Sequence, residues 1–277
     1  MRFAIQVHPG YPVPQNGLLR TRLNLRIFAF LFFLSVSAVL AQAPDDLICA
    51  GDQLAADFKF PEALAEYERA YKADTSNCTA LWKIAETHIN LGEEADKILQ
   101  KQHYYSAEKW ARKAVTLCPE EPNAHFFLAV SSGLIALFEG GKMKINRSKV
   151  IQSEAEKTVA LDPRHDGAYH VLGRWHREVA NLSWFLKAAA KIIYGGVPPG
   201  ASNEAAVANL RQAIDIRPNW INHHLQLGLT YMKMKKWAEA HDCFEVALEL
   251  PNTDHQDQEH KEKAKNLLGK VNRELDK

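Results

Sequence analysis

Several chemistries are excluded by what the 277 residues lack. No C-x-x-C pair occurs, and no G-x-S-x-G, P-loop or Rossmann glycine pattern, which argues against a zinc knuckle, a thioredoxin-type centre, an α/β-hydrolase nucleophile and the usual nucleotide cradles. Gly195-Gly196 follows a helical stretch and so is on the wrong side to hold phosphate at a helix start. Histidine is plentiful, but H-E-x-x-H is missing. HREV at 176–179 has no second histidine, His223-His224 point to different sides of a helix, and His170 and His176 are six apart. These histidines read as solvent-facing or core-filling, and no cofactor or metal is expected. An excess of one charge is also absent. Of 34 basic residues, Arg2, Arg20, Arg22 and Arg26 precede residue 44, where no acid occurs, leaving 30 basic against 33 acidic residues in the body. Such a balance gives no electrostatic reason to expect nucleic acid as a partner. With 47% hydrophobic and 24% charged residues, the chain is suited to burying a core.

Long apolar runs are confined to IFAFLFFLSVSAVLA, Ile27 to Ala41, behind Arg20, Arg22 and Arg26. Ala41-Gln42-Ala43 then supplies the small residues of a signal-peptidase site, so residues 1–43 read as a secretory signal and 44–277 as the body. An uncleaved anchor is the alternative, although the run is short against the roughly 20 residues of a bilayer span. Both shapes place the arginines before the run and acids after it, which predicts a secreted or periplasmic body, or one anchored outside the cytoplasm. Residues 1–18 are too rich in proline and glycine for an ordinary signal start.

The body is repetitive. HLQLGLTYMKMKKWAEAHDCFEVALELP, residues 224–251, places Leu227-Gly228, Tyr231, Ala240, Phe244, Ala247 and Pro251 at the spacing of the tetratricopeptide unit of about 34 residues. Glycine and alanine let two antiparallel helices approach, the aromatics fill the gap, and proline ends the second helix. Gly51, Ala63, Tyr67 and Ala70 repeat the register near the start, and Tyr169, Leu172, Gly173, Ala206, Leu210, Ala213 and Pro218 repeat it later. Weaker units end at Cys118-Pro119 and Asp162-Pro163. The prediction is an all-α solenoid of about five tetratricopeptide-like hairpins. A capping helix from about Asp257 to Leu275 completes it.

Three stretches exceed the repeat length: GEEADKILQKQH, ALFEGGKMKINRS and GRWHREVANLSWFLKAAAKIIYGGVPPG. In the last, Leu172, Trp175, Val179, Leu182, Leu186, Ala189 and Ile193 step by three and four. Read as one helix from Gly167 to Tyr194, it spans about 40 Å. A break at Asn181-Leu182-Ser183, with Ser183 capping a second short helix, is the competing shape.

These insertions resemble the regulator of microtubule dynamics family, a divergent tetratricopeptide-like group. The resemblance rests on Gly173, Trp175, Val179-Ala180, Ser183-Trp184-Phe185, Ala188-Ala189, the glycine pair, Pro198-Pro199, Ala213 and Pro218, within Leu81 to Pro251. It implies an all-helical, non-catalytic domain that binds partners, in a family linked to microtubules, spindle poles or organelle membranes. The signal-like head stands against the microtubule.

In solenoids of this type the first helix of each hairpin lines the concave side. That register assigns Trp82, Glu86, Ile89 and Asn90 to the groove, then Phe126, Val130 and Leu134, then His170, Arg174, Arg177 and Glu178, then Leu225, Leu229, Met232 and Lys233. An apolar channel with a basic patch of Arg174, Arg177 and Lys233 follows, fit for a protein or peptide partner. The alternative occupant is a lipid or other hydrophobic ligand. The competing expectation is that the inserted helices fold back and fill it. The same register puts Cys78 and Cys118 at one end of the second hairpin, where a disulfide is sterically possible, with Cys49 and Cys243 left over.

Overall fold

Proline in the first turn starts three of the helices, where its missing N–H costs no hydrogen bond. At several others a side chain does the capping. Asn77 accepts from the Ala80 N–H, Asp96 from those of Ile98 and Leu99, and Ser202 from that of Ala205. The computed structural model describes residues 42–139, 141–183, 186–188, 191, 196 and 199–277. The apolar run and its arginines therefore lie outside the described residues, as do Trp184, Phe185, Ala189, Ile193, Gly195 and Pro198.

Among the described residues there are helices and no strands. The first hairpin is α1 (Pro44–Ala56) with α2 (Phe60–Ala73), and the second is α3 (Cys78–Glu94) with α4 (Lys97–Leu117). The third pairs α5 (Pro122–Ile135) with α6 (Gly141–Leu161), and the fourth α7 (Asp166–Ala180) with α8 (Asn203–Ile216). The fifth is α9 (Ile221–Lys233) with α10 (Trp237–Glu249), and α11 (Asp257–Leu275) packs on both. Residues 43–277 form one compact unit, an α-solenoid of tetratricopeptide type.

Small residues set the spacing within hairpins. A Cβ on Gly228 would come 2.5 Å from Cε1 of Phe244, and one on Gly51 would run into the ring of Tyr67. The ring of the second helix thus occupies the space a side chain would take on the first. Ala63, Ala70, Ala240 and Ala247 are fully buried at the same contacts.

The first two inserted stretches become extra turns. They lengthen α4 and α6 to 21 residues each. A buried charge network ties these turns together: Arg147 donates to both oxygens of Glu139 at 2.6 and 3.1 Å and to Glu108 at 3.0 Å. Tyr105 donates to Glu139 at 2.8 Å and Arg112 to Glu108.

The third stretch is not one six-turn helix. That expectation is corrected: α7 stops at Ala180, and the chain breaks at Asn181 to Ser183. The Asn181 side chain donates to the Arg177 carbonyl at 2.8 Å and to Asn203 Oδ1 at 2.7 Å, and Lys187 takes the Ala180 carbonyl at 2.7 Å. Side chains thus satisfy the terminal carbonyls, and Ser183 Oγ accepts from the Leu186 N–H to start the next turn. Upstream of the break the apolar stripe is core. Trp175 is 4% exposed and donates to the Ser148 carbonyl at 2.9 Å.

A disulfide joins Cys78, at the start of α3, to Cys118, just past the end of α4, with 6.0 Å between their Cα atoms. Cys49 and Cys243 are free.

Candidate functional site

First helices touch first helices between neighbouring hairpins: α1 meets α3, α3 meets α5, α5 meets α7 and α7 meets α9. No two second helices meet among the described residues. The stack therefore curves with its first helices inside, and the inner face is the candidate site.

This inner face is closed at one place. The connection between α10 and α11 returns to the first two hairpins, where the His255 ring stands 5.1 Å from Phe60 and 5.9 Å from Phe58, centroid to centroid. His255 Nε2 is 3.4 Å from Glu93 at the end of α3. The connection is held by Asp257, whose Oδ2 accepts from the Thr253 and Asp254 N–H groups at 2.7 and 2.8 Å. Burial works to lower the His255 pKa, but the Glu93 hydrogen bond and the charges of Asp254, Glu93 and Glu94 outweigh it and raise the group. Glu93 is itself raised, chiefly by burial. At this seam lies a cleft of about 270 Å³ between α1, the start of α2, α3 and the returning connection.

On the far side, α7 and α9 share a histidine relay. Asp166 Oδ2 is 2.9 Å from His223 Nε2, and His223 Nδ1 is 2.8 Å from His170 Nδ1. A carboxylate accepts, so His223 carries its proton on Nε2 and offers Nδ1 as a lone pair. His170 must then donate from Nδ1, which leaves its Nε2 unprotonated. Burial and the neighbouring charges of His223, Arg174, Arg177 and His260 hold His170 well below the usual histidine range. Burial also lowers His223, against the pull of Asp166. For Asp166 burial works upward, but the hydrogen bond and charge of His223, with Arg217, lower it.

The sequence-assigned groove residues fall into three groups. Arg174 and Lys233 are exposed, and their side chains pair with no described residue. Partial desolvation by the surrounding concave wall, then the charge of Arg177, lowers the Arg174 pKa, although the side chain still reaches solvent. Trp82, Glu86, Asn90, Phe126, Val130, Leu229 and Met232 are half-buried. Trp82 stacks on Phe127 at 5.7 Å with Lys83 Nζ 4.5 Å over it, and Phe126 lies 4.5 Å from His165. Glu86 and Asn90 line the seam cleft.

Four assignments are corrected. Ile89 is 5% exposed and packs in the core with Ala107 and Phe127. Leu225 is fully buried in the core with Leu210, Ile221 and Phe244, because at its point on α9 the helix faces the hairpin interior. His170, 8% exposed, is closed off by the relay and offers the groove no more than one ring edge. Arg177 is 6% exposed and is a strut. It donates to the Gln226 carbonyl at 3.0 Å, to Gln226 Oε1 at 2.8 Å and to Glu178 at 3.2 Å. The basic patch is Arg174 and Lys233 without Arg177. Spacing put Arg174 and Arg177 on one helix side, but the next hairpin covers only the second.

Residues the sequence did not single out include Asp166, Phe58, Phe60 and His255. His223 and Asp166 are separated along the chain by a whole hairpin, and no local pattern connects them. Among the described residues no cluster of three or more His, Cys, Asp or Glu side chains converges to hold a metal ion, and no helix is long and apolar enough to cross a membrane.

Residues 47–272 match the family described as regulator of microtubule dynamics protein 1-3. The chain belongs to this family. It is 25% identical over 213 residues to regulator of microtubule dynamics protein 1 of Bos taurus, covering 76% of this chain and 65% of that protein. It is 25% identical over 195 residues to regulator of microtubule dynamics protein 2 of Homo sapiens, covering 70% of this chain and 47% of that one. The chain thus matches about half to two thirds of the length of these relatives. Its fold is similar to that of a thermophilic tetratricopeptide protein of Thermus thermophilus, with TM-score 0.60, 18% identity and coverage of 81% of this chain and 100% of that one.

Membership corrects the expectation of a secreted or periplasmic body. The relatives are named for the dynamics of microtubules, which are cytoplasmic polymers, and none of these names points to an exported protein. That expectation rested on residues 20–46 alone.

Proposed function

We propose that the chain is a non-catalytic helical-repeat scaffold that holds a protein or peptide partner against its inner face. One observation carries the reading: charged side chains of both signs stand there without protein partners. Glu86 on α3, Arg174 on α7 and Lys233 on α9 make no hydrogen bond or ion pair with a described residue, beside half-buried Phe126, Val130, Leu229 and Met232. Groups left unpaired on a concave, partly apolar wall favour an occupant that supplies the missing charges. The lipid-carrier reading gains no such support, since the cleft at the seam is small and lined by Asp52, Lys83, Glu86, Asp254 and His255. Microtubules enter as one protein partner to test, because the relatives carry that name.

The test is capture of partners from cell extract, together with co-sedimentation on assembled microtubules, comparing the full chain with an Arg174→Glu, Lys233→Glu variant. Loss of the same bound proteins in the variant, with an unchanged melting temperature, supports the reading. Identical capture by both overturns it.

A further inference from the structure

The seam cleft has its own chemistry. Asp52, Glu86 and Asp254 bring three carboxylates to it, against Lys83 and His255. Both cations are already engaged. Lys83 Nζ is 2.7 Å from Asp52 Oδ1, and His255 lies between Glu93 at 3.4 Å and Asp254 at 3.3 Å. Asp254 further accepts from the Gln256 N–H at 2.9 Å. Glu86 is the carboxylate left over, and Asn90 one turn later also lacks a side-chain partner among the described residues. Burial raises the Glu86 pKa, with Lys83 opposing.

The walls are aromatic. Phe58, Phe60 and Tyr67 line the cleft, and Phe58 keeps its ring 47% exposed from a backbone φ of 58°. Lys235 takes the same φ of 58° at the corresponding turn of the fifth hairpin, and both turns close with the same helix-ending hydrogen bond, Lys59 N–H to the Leu54 carbonyl and Lys236 N–H to the Tyr231 carbonyl, so this backbone shape belongs to the hairpin turn and serves here to present the Phe58 ring. Aromatic faces beside a carboxylate suit a cation, through ring quadrupole and charge together. The volume of about 270 Å³ falls below the ~300–1,000 Å³ of pockets for drug-sized ligands, which points to one side chain and not a whole small molecule.

We infer that the seam cleft is a subsite for a single lysine or arginine side chain of the partner protein, its cationic head on Glu86 and its stem against Phe58 and Phe60. An anionic group would meet three carboxylates with both local cations spent. This inference rests on the partner being a protein, as proposed above.

The experiment is a titration of the full chain with Nα-acetyl-arginine amide and Nα-acetyl-lysine amide, with Nα-acetyl-citrulline amide as the uncharged control, read by amide chemical-shift mapping. Expected are shifts confined to the neighbourhood of Phe58, Phe60, Glu86 and Asn90 for at least one of the two cationic amides. Citrulline should give none, and Glu86→Gln should weaken binding by about tenfold or more, as loss of a charge-assisted hydrogen bond does. Phe58→Ala, at an exposed ring, supplies a second variant and should weaken binding as well. Equal shifts with citrulline, shifts elsewhere on the surface, or unchanged binding in both variants overturn the inference. The Arg174→Glu, Lys233→Glu variant keeps the two readings apart: it should bind the cationic amide normally while losing the partner.

Discussion

The imidazole of His255 stands edge-on to the ring of Phe60, 5.1 Å between centroids, and ties the last connection of the solenoid to its second helix. Because the His255 pKa is raised in the folded protein, the stability it contributes is fully present below pH 6.5 and is lost as pH rises through the higher folded value. Hydrogen exchange of the Phe58–Phe60 amides should therefore speed up beyond the intrinsic rate as pH rises above the ordinary histidine value of about 6.5, and His255→Asn should remove this dependence. A local probe is needed because buried His170 and His223 are lowered and act in the opposite sense. A pH-independent protection factor in the native chain would refute the coupling.

The histidine relay predicts tautomers. At neutral pH, long-range proton–nitrogen spectra should show His223 protonated on Nε2 and His170 on Nδ1. Asp166→Asn should release His223 to populate the other form and cost about 1–3 kcal/mol of stability, the penalty of an imperfectly satisfied buried group. Since both histidines are kept neutral by the fold, their contribution is present above pH 6.5 and is lost as pH falls through the lowered values.

Arg177 and Arg174 should separate sharply in denaturant. Removing Arg177 takes the donor from the Gln226 side-chain oxygen between α7 and α9, while the Gln226 carbonyl keeps the Thr230 hydroxyl, so Arg177→Ala is expected to cost about 2–4 kcal/mol. Arg174→Ala should stay within about 0.5 kcal/mol, as exposed substitutions do. Urea midpoints measure both, and equal midpoints would show that the strut has no energetic role.

Trp175 fills the contact between α7 and α6, and its indole N–H is used by Ser148. Trp175→Ala should cost about 3–5 kcal/mol, a large part of a typical domain's stability. Thermal unfolding reads it directly; a shift of less than about two degrees would contradict the packing.

The Cys78–Cys118 bond closes a loop with a sequence separation of 40, for which the loop-entropy account gives about 4 kcal/mol. Peptide mapping of protein isolated under thiol-blocking conditions should recover these two linked, with Cys49 and Cys243 alkylated. Cys118→Ser should lower the melting temperature under oxidising conditions and not under reducing ones. Two alkylated thiols at 78 and 118 would show the bond unformed in solution.

Much of the fold was legible because its determinants are short-range. Gly228 with Phe244 and Gly51 with Tyr67 lie within one hairpin, so the size rule that places a ring over a glycine is written in local spacing. Asn181 and Ser183 signalled a break through the hydrogen-bonding habits of their own side chains, against a periodicity that favoured continuation. Tertiary structure alone decided the inner face. Arg174 and Arg177 have the same type and share a helix side, yet one is solvated and the other buried, because burial depends on where the next hairpin lands. The approach of His255 to Phe60 and of His223 to His170 depends on curvature accumulated over several hairpins. Curvature is a sum of small packing angles between hairpins, and no single stretch of sequence encodes that sum.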